Sequence, residues 1–346
     1  MPRLISLATA APPHVLRQDE VASAAARLFG PDMPGFERFA PVYANAEIET
    51  RRSCVPLSWY LEPHGFAERN RLFVENALAL LEEAATGAVR KAGCRFEDVD
   101  LLLTVTSSGV AAPSLDALLM ERLPFRRDVQ RLPVFGLGCA GGVLGLGRAA
   151  ALARAEPGAR VLLLVVELCG LTFRRNERSK SNIVATALFG DGAAAALVGA
   201  GGDGPIISGW GEHTWPGSLD VMGWDVRDDG LAVLFSRDIP ALVRDRFRET
   251  ACAFLRRFGF GLEDVDEFVC HPGGAKVLDA LEESLGLSKF ELDCSRSVLR
   301  RFGNMSSSTV LFVLEEALKR PARRRLLSSL GPGFTAGFAL LEEPGA

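Results

Sequence analysis

Short runs of apolar residues alternate along the chain with segments in which apolar residues recur every three or four positions. The apolar runs predict strands, in order PRLISLA, VDLLLTVT, LPVFGLG and RVLLLVVE. The periodic segments predict amphipathic helices, among them ENALALLEEAATGAVRKAG and SLDALLMERL. Strands that are apolar throughout are typical of sheets covered on both faces. The alternation therefore predicts an α/β fold with buried, largely parallel strands.

The second half of the chain repeats the first half in outline. VDEFVCHPGGAKVLDAL has the strand-turn-helix order of VDLLLTVTSSGVAAPSLDALL, and FGNMSSSTVLFVLEEAL follows the pattern that begins at GLGCAGG. LFGDGAAAALVG likewise has a counterpart in LGPGFTAGFALL. Self-similarity at about half the chain length indicates two copies of one structural unit. We place the N-terminal half at 1–204 and the C-terminal half at 205–346.

Composition narrows the function classes. The 346 residues carry a formal net charge of −4, so the basic surface typical of nucleic-acid binding is not expected. The longest apolar run, VLLLVVELCGL, is interrupted by Glu167 and is too short to span a membrane. Seven cysteines without regular spacing favour a reducing compartment over a disulfide framework, and no CxxC pair indicates a metal site. We expect a cytoplasmic protein without a bound metal.

Cys139 lies between glycines where an apolar run meets an alanine-rich segment. A helix N-terminus or a charged histidine lowers a thiol pKa from ~8.5 to ~3.5–7.5, which produces a nucleophile. The flanking glycines allow backbone and substrate to approach closely. A cysteine in such a position can equally be a small buried hydrophobe. The residues alone leave both interpretations open.

Two further polar residues fall at related positions of the predicted sheet. Asn304 lies at the turn that corresponds to the turn of Cys139, and His271 ends an adjacent central strand of the second half. Ligands gather at the carboxyl ends of strands in open α/β sheets, so these three side chains can converge. Individually, His271 can be a structural histidine and Asn304 a helix cap.

The segments GLGCAGG, HPGGAKVLDAL, GNMSSSTVLFVLEE, ALFGDGAAAALV and LGPGFTAGFALL resemble the type III polyketide synthases, the chalcone synthase family of the thiolase superfamily. The similarity extends from APPHVLRQDEV to the C-terminus. It implies an α/β thiolase-like fold, in which two pseudo-duplicated βαβ halves form a five-layer αβαβα sandwich, and a homodimer. It also implies a catalytic centre made of Cys139, His271 and Asn304.

The implied reaction uses coenzyme A thioesters as substrates and needs no cofactor. The cysteine thiolate takes the acyl group from a starter acyl-CoA. The histidine and asparagine then donate hydrogen bonds to malonyl-CoA while carbon dioxide leaves, and the resulting enolate extends the chain.

The resemblance also places residues around the substrate. Phe189 corresponds to a gatekeeper phenylalanine. The second gatekeeper position falls on Val233, which either widens the passage or moves the gate to Phe235. Residues expected at the cavity are Cys169, Thr172 and Ser306, with Gly170 and Ala112 leaving room for a bulky or long substrate. Arg51 and Arg52 lie in the segment where the family binds the coenzyme A phosphates.

The stretches VELCGLTFRRN and RLPVFGLGCAGGVLGLGRAA resemble bacterial synthases of alkylresorcinols and alkylpyrones. This predicts a long-chain fatty acyl-CoA starter. One alternative is a tetrahydroxynaphthalene-type synthase that uses malonyl-CoA alone. Another is a condensing enzyme like ketoacyl-carrier-protein synthase III, although HPGG and GNMSS favour the branch that uses coenzyme A.

Two other function classes fit less well. GLGRAA, followed by Glu167 at the end of the next strand, imitates a dinucleotide-binding fingerprint. That fingerprint must open its helix directly after a strand, and here GCAGG already occupies the turn, so Gly145 and Gly147 fall inside the helix. A catalytically silent binding protein of this fold would be expected to lack one of the three polar residues, and all three are present.

Overall fold

The computed structural model describes residues 1–33, 35–236 and 238–345. The strands of this part are β1 (Arg3–Ala10), β2 (His14–Arg17), β3 (Thr50–Ser53), β4 (Leu101–Thr106), β5 (Gln130–Phe135), β6 (Val161–Leu168), β7 (Asp191–Gly199), β8 (Ile206–Thr214), β9 (Met222–Arg227), β10 (Gly230–Phe235), β11 (Glu267–Cys270), β12 (Arg324–Gly331) and β13 (Thr335–Glu342). The α-helices are α1 (Gln18–Phe29), α2 (Pro41–Ala44), α3 (Phe66–Lys91), α4 (Leu115–Leu119), α5 (Gly141–Ala155), α6 (Lys180–Leu188), α7 (Ile239–Arg256), α8 (Ala275–Leu285), α9 (Asp293–Phe302) and α10 (Thr309–Ala317).

Nine strands hydrogen-bond in the order β11-β12-β13-β8-β1-β7-β6-β4-β5. The row consists of two parts that meet at one residue pair, Arg3 and Ile206. β1, β7, β6 and β4 pair in the same order and with the same directions as β8, β13, β12 and β11. The duplication seen in the sequence is therefore a duplication of strand topology. The expected boundary between 204 and 205 falls in the turn between β7 and β8, and the division of the chain into two halves there stays a prediction.

The expectation of largely parallel strands is wrong. β4 is parallel to β5 and β6, and β11 is parallel to β12. The other five pairs of the nine-stranded row, as described, are antiparallel. β12 and β13 are joined by a short turn, which forces the antiparallel direction. Complete burial, as in β6 and β7, made these strands look parallel because both of their faces are covered by helices.

The two parts of the row are packed face to face with helices between them. α5 contacts β6 and β7 on one side and β8 and β13 on the other, and α10 lies beside it. α3 covers the outer face of β1, β6 and β7, while α7 covers β13 and packs against α8. This is the five-layer αβαβα arrangement that the sequence resemblance implied. Buried apolar residues form one cluster in the middle layer and one under each outer layer.

Glycines let α5 approach both sheets closely. A Cβ on Gly145 would lie 2.9 Å from a methyl of Leu163, and one on Gly147 would lie 2.8 Å from Cβ of Trp210. Both glycines fall inside α5, as the sequence indicated, so they serve packing and do not form a dinucleotide turn.

β5 forms one edge of the row and is exposed along most of its length, contrary to the expectation that the strands are buried. Apolar residues are exposed at this edge or in the loop after β4, including Phe135 at 56% and Val110 at 51%. Among the described helices, none is long and apolar enough to cross a membrane.

Candidate active site

Cys139, His271 and Asn304 line one cavity of about 520 Å³, which we call the entrance cavity. Cys139 lies in a turn between β5 and α5, and His271 follows the last residue of β11. Asn304 follows α9, in the loop before α10. The structure therefore brings together the three polar residues that the sequence placed at related strand ends and turns.

The turn of Cys139 is held from several sides. The Gly138 amide donates a hydrogen bond of 3.0 Å to Oγ of Ser107, and Oγ of Ser329 donates one of 2.5 Å to the Cys139 carbonyl. Gly138 has φ +47°, and a Cβ there would lie 2.5 Å from Cδ of Pro332. Only glycine fits at this position, so the backbone that carries the thiol is fixed before any substrate enters.

A buried carboxylate lies near the thiol. Glu167 accepts hydrogen bonds from the Ser107 amide at 3.0 Å and from Oγ of Ser307 at 2.6 Å. Burial raises the pKa of Glu167 in spite of these bonds. Burial, and to a lesser degree the charge of Glu167, raises the pKa of the Cys139 thiol to about 12, while hydrogen bonds with Ser306 and Asn304 act in the opposite direction. The sequence indicated Glu167 only as a false dinucleotide signal, and its place beside the cavity was missed.

The His271 ring is buried, and among the described residues neither ring nitrogen has a hydrogen-bond partner. Its amide donates a 2.8 Å bond to the Ser328 carbonyl, which fixes the backbone. Burial lowers the pKa of His271 to about 3. Burial thus disfavours a thiolate on Cys139 alone and an imidazolium on His271 alone. An imidazolium formed by a proton from Cys139 would leave two opposite charges, whose attraction is strong where water is excluded. That His271 stabilises the thiolate stays a prediction.

The Asn304 side chain is oriented by both of its polar atoms. Oδ1 accepts a 2.8 Å bond from the Ser306 amide, and Nδ2 donates a 3.2 Å bond to the Gly273 carbonyl. An amide nitrogen carries two hydrogens, so a second one is left for a ligand. The Asn304 backbone pairs with the chain around Phe189, because its amide donates to the Leu188 carbonyl at 2.8 Å and its carbonyl accepts from Gly190 at 2.9 Å.

A second, smaller cavity of about 80 Å³, the inner cavity, lies under α1. Residues of the predicted pocket that line it are Cys169, Gly170, Thr172, Phe189 and Val233. Its remaining walls are mostly apolar and include Val21, Ala24, Ala25, Leu28 and Phe29 of α1. The sequence gave no indication that α1 would form this wall.

Phe189 lies where the two cavities meet. Its ring is 5.7 Å from the Phe235 ring and 6.2 Å from the Trp224 ring, both edge to face. Phe235 lines the entrance cavity, whereas Val233 lines the inner cavity. Val233 pairs with Trp224 across the β9–β10 hairpin. The large Trp224 side chain therefore borders the space that the small Val233 side chain leaves. Of the two alternatives at this position, the placement favours a gate at Phe235 over a widened passage.

Two other expectations about empty volume are wrong. A Cβ on Gly170 would lie 2.5 Å from the Tyr60 hydroxyl and 3.1 Å from Oδ1 of Asp191, so the space beside this glycine is already filled. Ala112 is exposed in the loop after β4, near the β5 edge, and lines neither cavity. Small side chains at the inner cavity come instead from α1, which contributes Ala24 and Ala25.

The proposed phosphate-binding role of Arg51 does not fit its position. The guanidinium is buried and donates to the Thr186 carbonyl at 2.6 Å, the Ala187 carbonyl at 2.9 Å and the Phe189 carbonyl at 3.0 Å. Burial lowers the pKa of Arg51 to about 10. Arg52 is half-buried and lines the inner cavity. A phosphate cannot reach Arg51 without breaking its bonds to the backbone.

Three other cations border the entrance cavity: Arg38, Lys180 and Lys276. The sequence analysis missed them, although Lys276 almost directly follows the HPGG motif that contains His271. Within the described residues, no three His, Cys, Asp or Glu side chains are grouped so that they could hold a metal ion.

Family models of known proteins match most of the chain. The model of the N-terminal domain of chalcone and stilbene synthases matches residues 57–202, and the model of the C-terminal domain matches residues 211–345.

Individual relatives agree with the family models. The chain is 40% identical to a 1,3,6,8-tetrahydroxynaphthalene synthase of Streptomyces peucetius, over 96% of this chain and 91% of that protein. It is 30% identical to a polyketide synthase-like protein of alpha-pyrone synthesis from Mycobacterium tuberculosis, over 97% and 90%. The crystal structure of a tetrahydroxynaphthalene synthase from Streptomyces coelicolor superimposes with a TM-score of 0.93 at 28% identity, covering 99% of this chain and 100% of that one.

The thiolase-like architecture, the two family models and the full-length relatives agree: the chain belongs to the chalcone and stilbene synthase family, the type III polyketide synthases, which are acyl-transferring enzymes of decarboxylative Claisen condensation.

Proposed function

We propose that the protein extends an acyl starter, bound to Cys139 as a thioester, with units from malonyl-CoA, and that the preferred starter is a long-chain fatty acyl-CoA. The observation that carries the catalytic part is the convergence of Cys139, His271 and Asn304 on the entrance cavity, with both ring nitrogens of His271 unpartnered among the described residues. Unpaired buried polar groups are costly unless a ligand completes them.

In the first step the Cys139 thiol passes its proton to His271, and the sulfur attacks the carbonyl carbon of the starter thioester. The bond between that carbon and the coenzyme A sulfur breaks, and coenzyme A leaves as a thiol with the proton from His271. The acyl group remains on Cys139. The imidazole returns to the neutral state that burial favours.

In the second step the thioester oxygen of malonyl-CoA accepts hydrogen bonds from His271 and Nδ2 of Asn304. Loss of carbon dioxide leaves an electron pair that forms an enolate, and these donors stabilise its oxygen. The enolate carbon attacks the acyl carbonyl on Cys139, the carbon–sulfur bond breaks, and the thiolate is released. Repetition builds a polyketide chain, which cyclises to an alkylresorcinol or alkylpyrone.

Substitution of the three polar residues separates the two steps. Cys139→Ala is expected to leave no acyl adduct in intact-protein mass spectrometry after mixing with hexadecanoyl-CoA. His271→Ala and Asn304→Ala are each expected to slow malonyl-CoA decarboxylation about 10²–10³-fold, since each removes an enolate donor. His271→Ala should also slow the acylation of Cys139, because the thiol loses the group proposed to accept its proton.

Cys252→Ala is the matched control for these variants, because Cys252 is a half-buried thiol on α7 that lines neither cavity. It should behave as the unsubstituted protein. Stoichiometric acylation of Cys139→Ala would contradict the assignment of Cys139 as the nucleophile. Unchanged decarboxylation in His271→Ala or Asn304→Ala would contradict the role of the substituted residue in the site.

The cations of the entrance cavity are our candidates for the coenzyme A phosphates. Arg38, Lys180 and Lys276 come from three separate segments and border the same cavity as Cys139. None of them forms an ion pair with a carboxylate within the described residues. Unpaired cations at a cavity entrance attract a polyanionic ligand and hold it by charge-assisted hydrogen bonds.

Lys276→Ala is expected to raise KM for malonyl-CoA about tenfold, with a much smaller change in kcat, because the phosphate contact is the same in the bound substrate and the transition state. Steady-state kinetics at low and high salt measure this, and the KM of the variant should depend less on salt. Lys289→Ala, at an exposed lysine away from both cavities, is the control. An unchanged KM in Lys276→Ala would exclude the phosphate contact.

The starter preference rests on the inner cavity. Its lining is largely apolar, it meets the entrance cavity at Phe189, and α1 contributes small side chains to its wall. Burying a methylene contributes about 0.8 kcal/mol, so each additional carbon that enters such a cavity strengthens binding about fourfold. The volume of about 80 Å³ holds only a few methylenes. A longer tail therefore has to displace side chains of the lining, such as Leu28 and Leu57.

The name of one relative, 1,3,6,8-tetrahydroxynaphthalene synthase, supports a second candidate, in which malonyl-CoA serves as both starter and extender. The inner cavity would then accommodate the folded polyketide and no alkyl tail. Indifference of product formation to added fatty acyl-CoA would favour this candidate.

Filling the inner cavity from α1 tests the starter preference. Ala25→Phe is expected to move the optimum to shorter acyl-CoA starters and to leave turnover of short starters intact, with kcat/KM falling about fourfold for each methylene excluded. Ala26→Phe is the matched control, because Ala26 is exposed on the same helix and lines neither cavity. Equal kcat/KM for two-carbon and sixteen-carbon starters in the unsubstituted protein would contradict the alkyl site, but not the polyketide synthase reaction.

We further propose a homodimer in which the exposed β5 edge is covered by a second copy. An exposed edge strand with unpaired backbone groups and apolar side chains is a template for pairing with another chain. Leu132 and Phe135 on this strand are 40% and 56% exposed. A two-fold axis beside β5 would pair identical edges and bury both residues.

A further inference from the structure

Arg51 is a buried cation bonded mainly to backbone carbonyls. Nη1 donates to the carbonyls of Thr186 and Phe189, and Nη2 donates to the carbonyl of Ala187. Within the described residues, no carboxylate forms an ion pair with it. A buried charge is normally compensated by an opposite charge. The end of α6 supplies partial negative charge here, because the last carbonyls of a helix lack partners within the helix.

The three carbonyls belong to the last turn of α6 and to the residue directly after it, Phe189. Phe189 lies where the inner and entrance cavities meet. The guanidinium fork thus fixes the backbone that carries the Phe189 ring.

Arg51 also lies beside the chain segment that contains Asn304. A Cβ on Gly190 would lie 3.6 Å from Cβ of Arg51, and one on Gly303 would lie 3.5 Å from it. Gly303 precedes Asn304, whose backbone pairs with Leu188 and Gly190. A shift of Arg51 would therefore move both the backbone that carries the Phe189 ring and the turn that carries Asn304.

The side chain of Gln18 extends this hydrogen-bond network to the entrance cavity. Oε1 of Gln18 accepts a hydrogen bond from Nη2 of Arg51, and Nε2 of Gln18 donates 3.0 Å bonds to the carbonyls of Ala187 and Tyr43. Tyr43 belongs to α2, and its neighbours Pro41 and Val42 line the entrance cavity. Arg51 and Gln18 together therefore connect α1, α2 and α6 around the boundary between the cavities.

We propose that Arg51 is a positioning residue that holds Phe189 at the boundary between the two cavities, and so sets starter selection and the number of extensions. This rests on the proposed function, in which the starter tail passes Phe189 into the inner cavity. A lysine cannot replace the guanidinium, because one ammonium group does not reach carbonyls at several places with the geometry of a planar fork.

The test compares Arg51→Lys with Arg325→Lys. Arg325 is also fully buried, with bonds to backbone carbonyls and to Glu267, and it lines neither cavity. The readouts are the ratio of kcat/KM for sixteen-carbon and six-carbon starters and the ratio of triketide to tetraketide products. A loss of folded protein cancels in both ratios. Arg51→Lys is expected to change the starter ratio about tenfold, which corresponds to a change of about 1.4 kcal/mol in the discrimination between the two starters. Arg325→Lys should leave both ratios unchanged.

A double-mutant cycle with Phe189→Ala identifies the route of the effect. If Arg51 acts through the Phe189 ring, Arg51→Lys changes neither ratio further when Phe189 is already alanine. Should Arg51→Lys fail to fold, Gln18→Met removes one acceptor of the guanidinium and is expected to change the ratios in the same direction by a smaller factor.

Unchanged ratios in folded Arg51→Lys would overturn the proposal, as would an effect of undiminished size in the Phe189→Ala background. Failure of the proposed starter preference gives a different result, namely equal kcat/KM for both starters in the unsubstituted protein. The triketide to tetraketide ratio then still reports on Arg51.

Discussion

The backbone pairing between Asn304 and the segment around Phe189 is the contact on which the rest of the site depends. It joins the N-terminal half to the C-terminal half through bonds of 2.8 and 2.9 Å. Only glycines at 190 and 303 allow this approach, because a Cβ at either position would overlap the opposite backbone. One contact therefore places the amide that is proposed to stabilise the enolate beside the ring that separates the two cavities. The contact joins the end of α6 in the first half to the turn between α9 and α10 in the second half.

Burial explains the electrostatics of the site. Cys139, His271 and Glu167 are all affected by burial, which raises the pKa of the thiol and the carboxyl and lowers the pKa of the imidazole. Each isolated charge is costly in such a cavity. In the proposed reaction, each charge forms opposite a group that is already in place: the thiolate opposite the imidazolium, and the enolate oxygen opposite two fixed hydrogen-bond donors. Preoriented donors in a site that excludes water are usually the largest single contribution to catalysis of this kind.

Local pattern and duplication placed the three candidates at related positions: a cysteine between glycines at a strand-to-helix turn, and polar residues at related turns. Their roles in a catalytic centre came only from the resemblance to the type III polyketide synthases. The pocket could not be found in this way. Val233 looked like an opening, but its cross-strand neighbour Trp224 belongs to a hairpin that the hydrophobic pattern did not reveal. Arg51 was expected to bind the coenzyme A phosphates, but its partner Thr186 lies 135 residues away in sequence. The parallel strands were overestimated, because burial on both faces produces the same apolar runs in either direction.

The most direct test of the account is mass spectrometry of the products formed from malonyl-CoA and deuterated hexadecanoyl-CoA, with purified protein and no carrier protein. The account predicts alkylresorcinols or alkylpyrones that retain the complete labelled starter chain, and an acyl adduct of the same label on Cys139 during turnover. Products made from malonyl-CoA alone, in amounts that labelled starter does not change, would contradict the starter site in the inner cavity. Absence of any condensation product without a carrier protein would contradict the proposed use of coenzyme A-bound extender units.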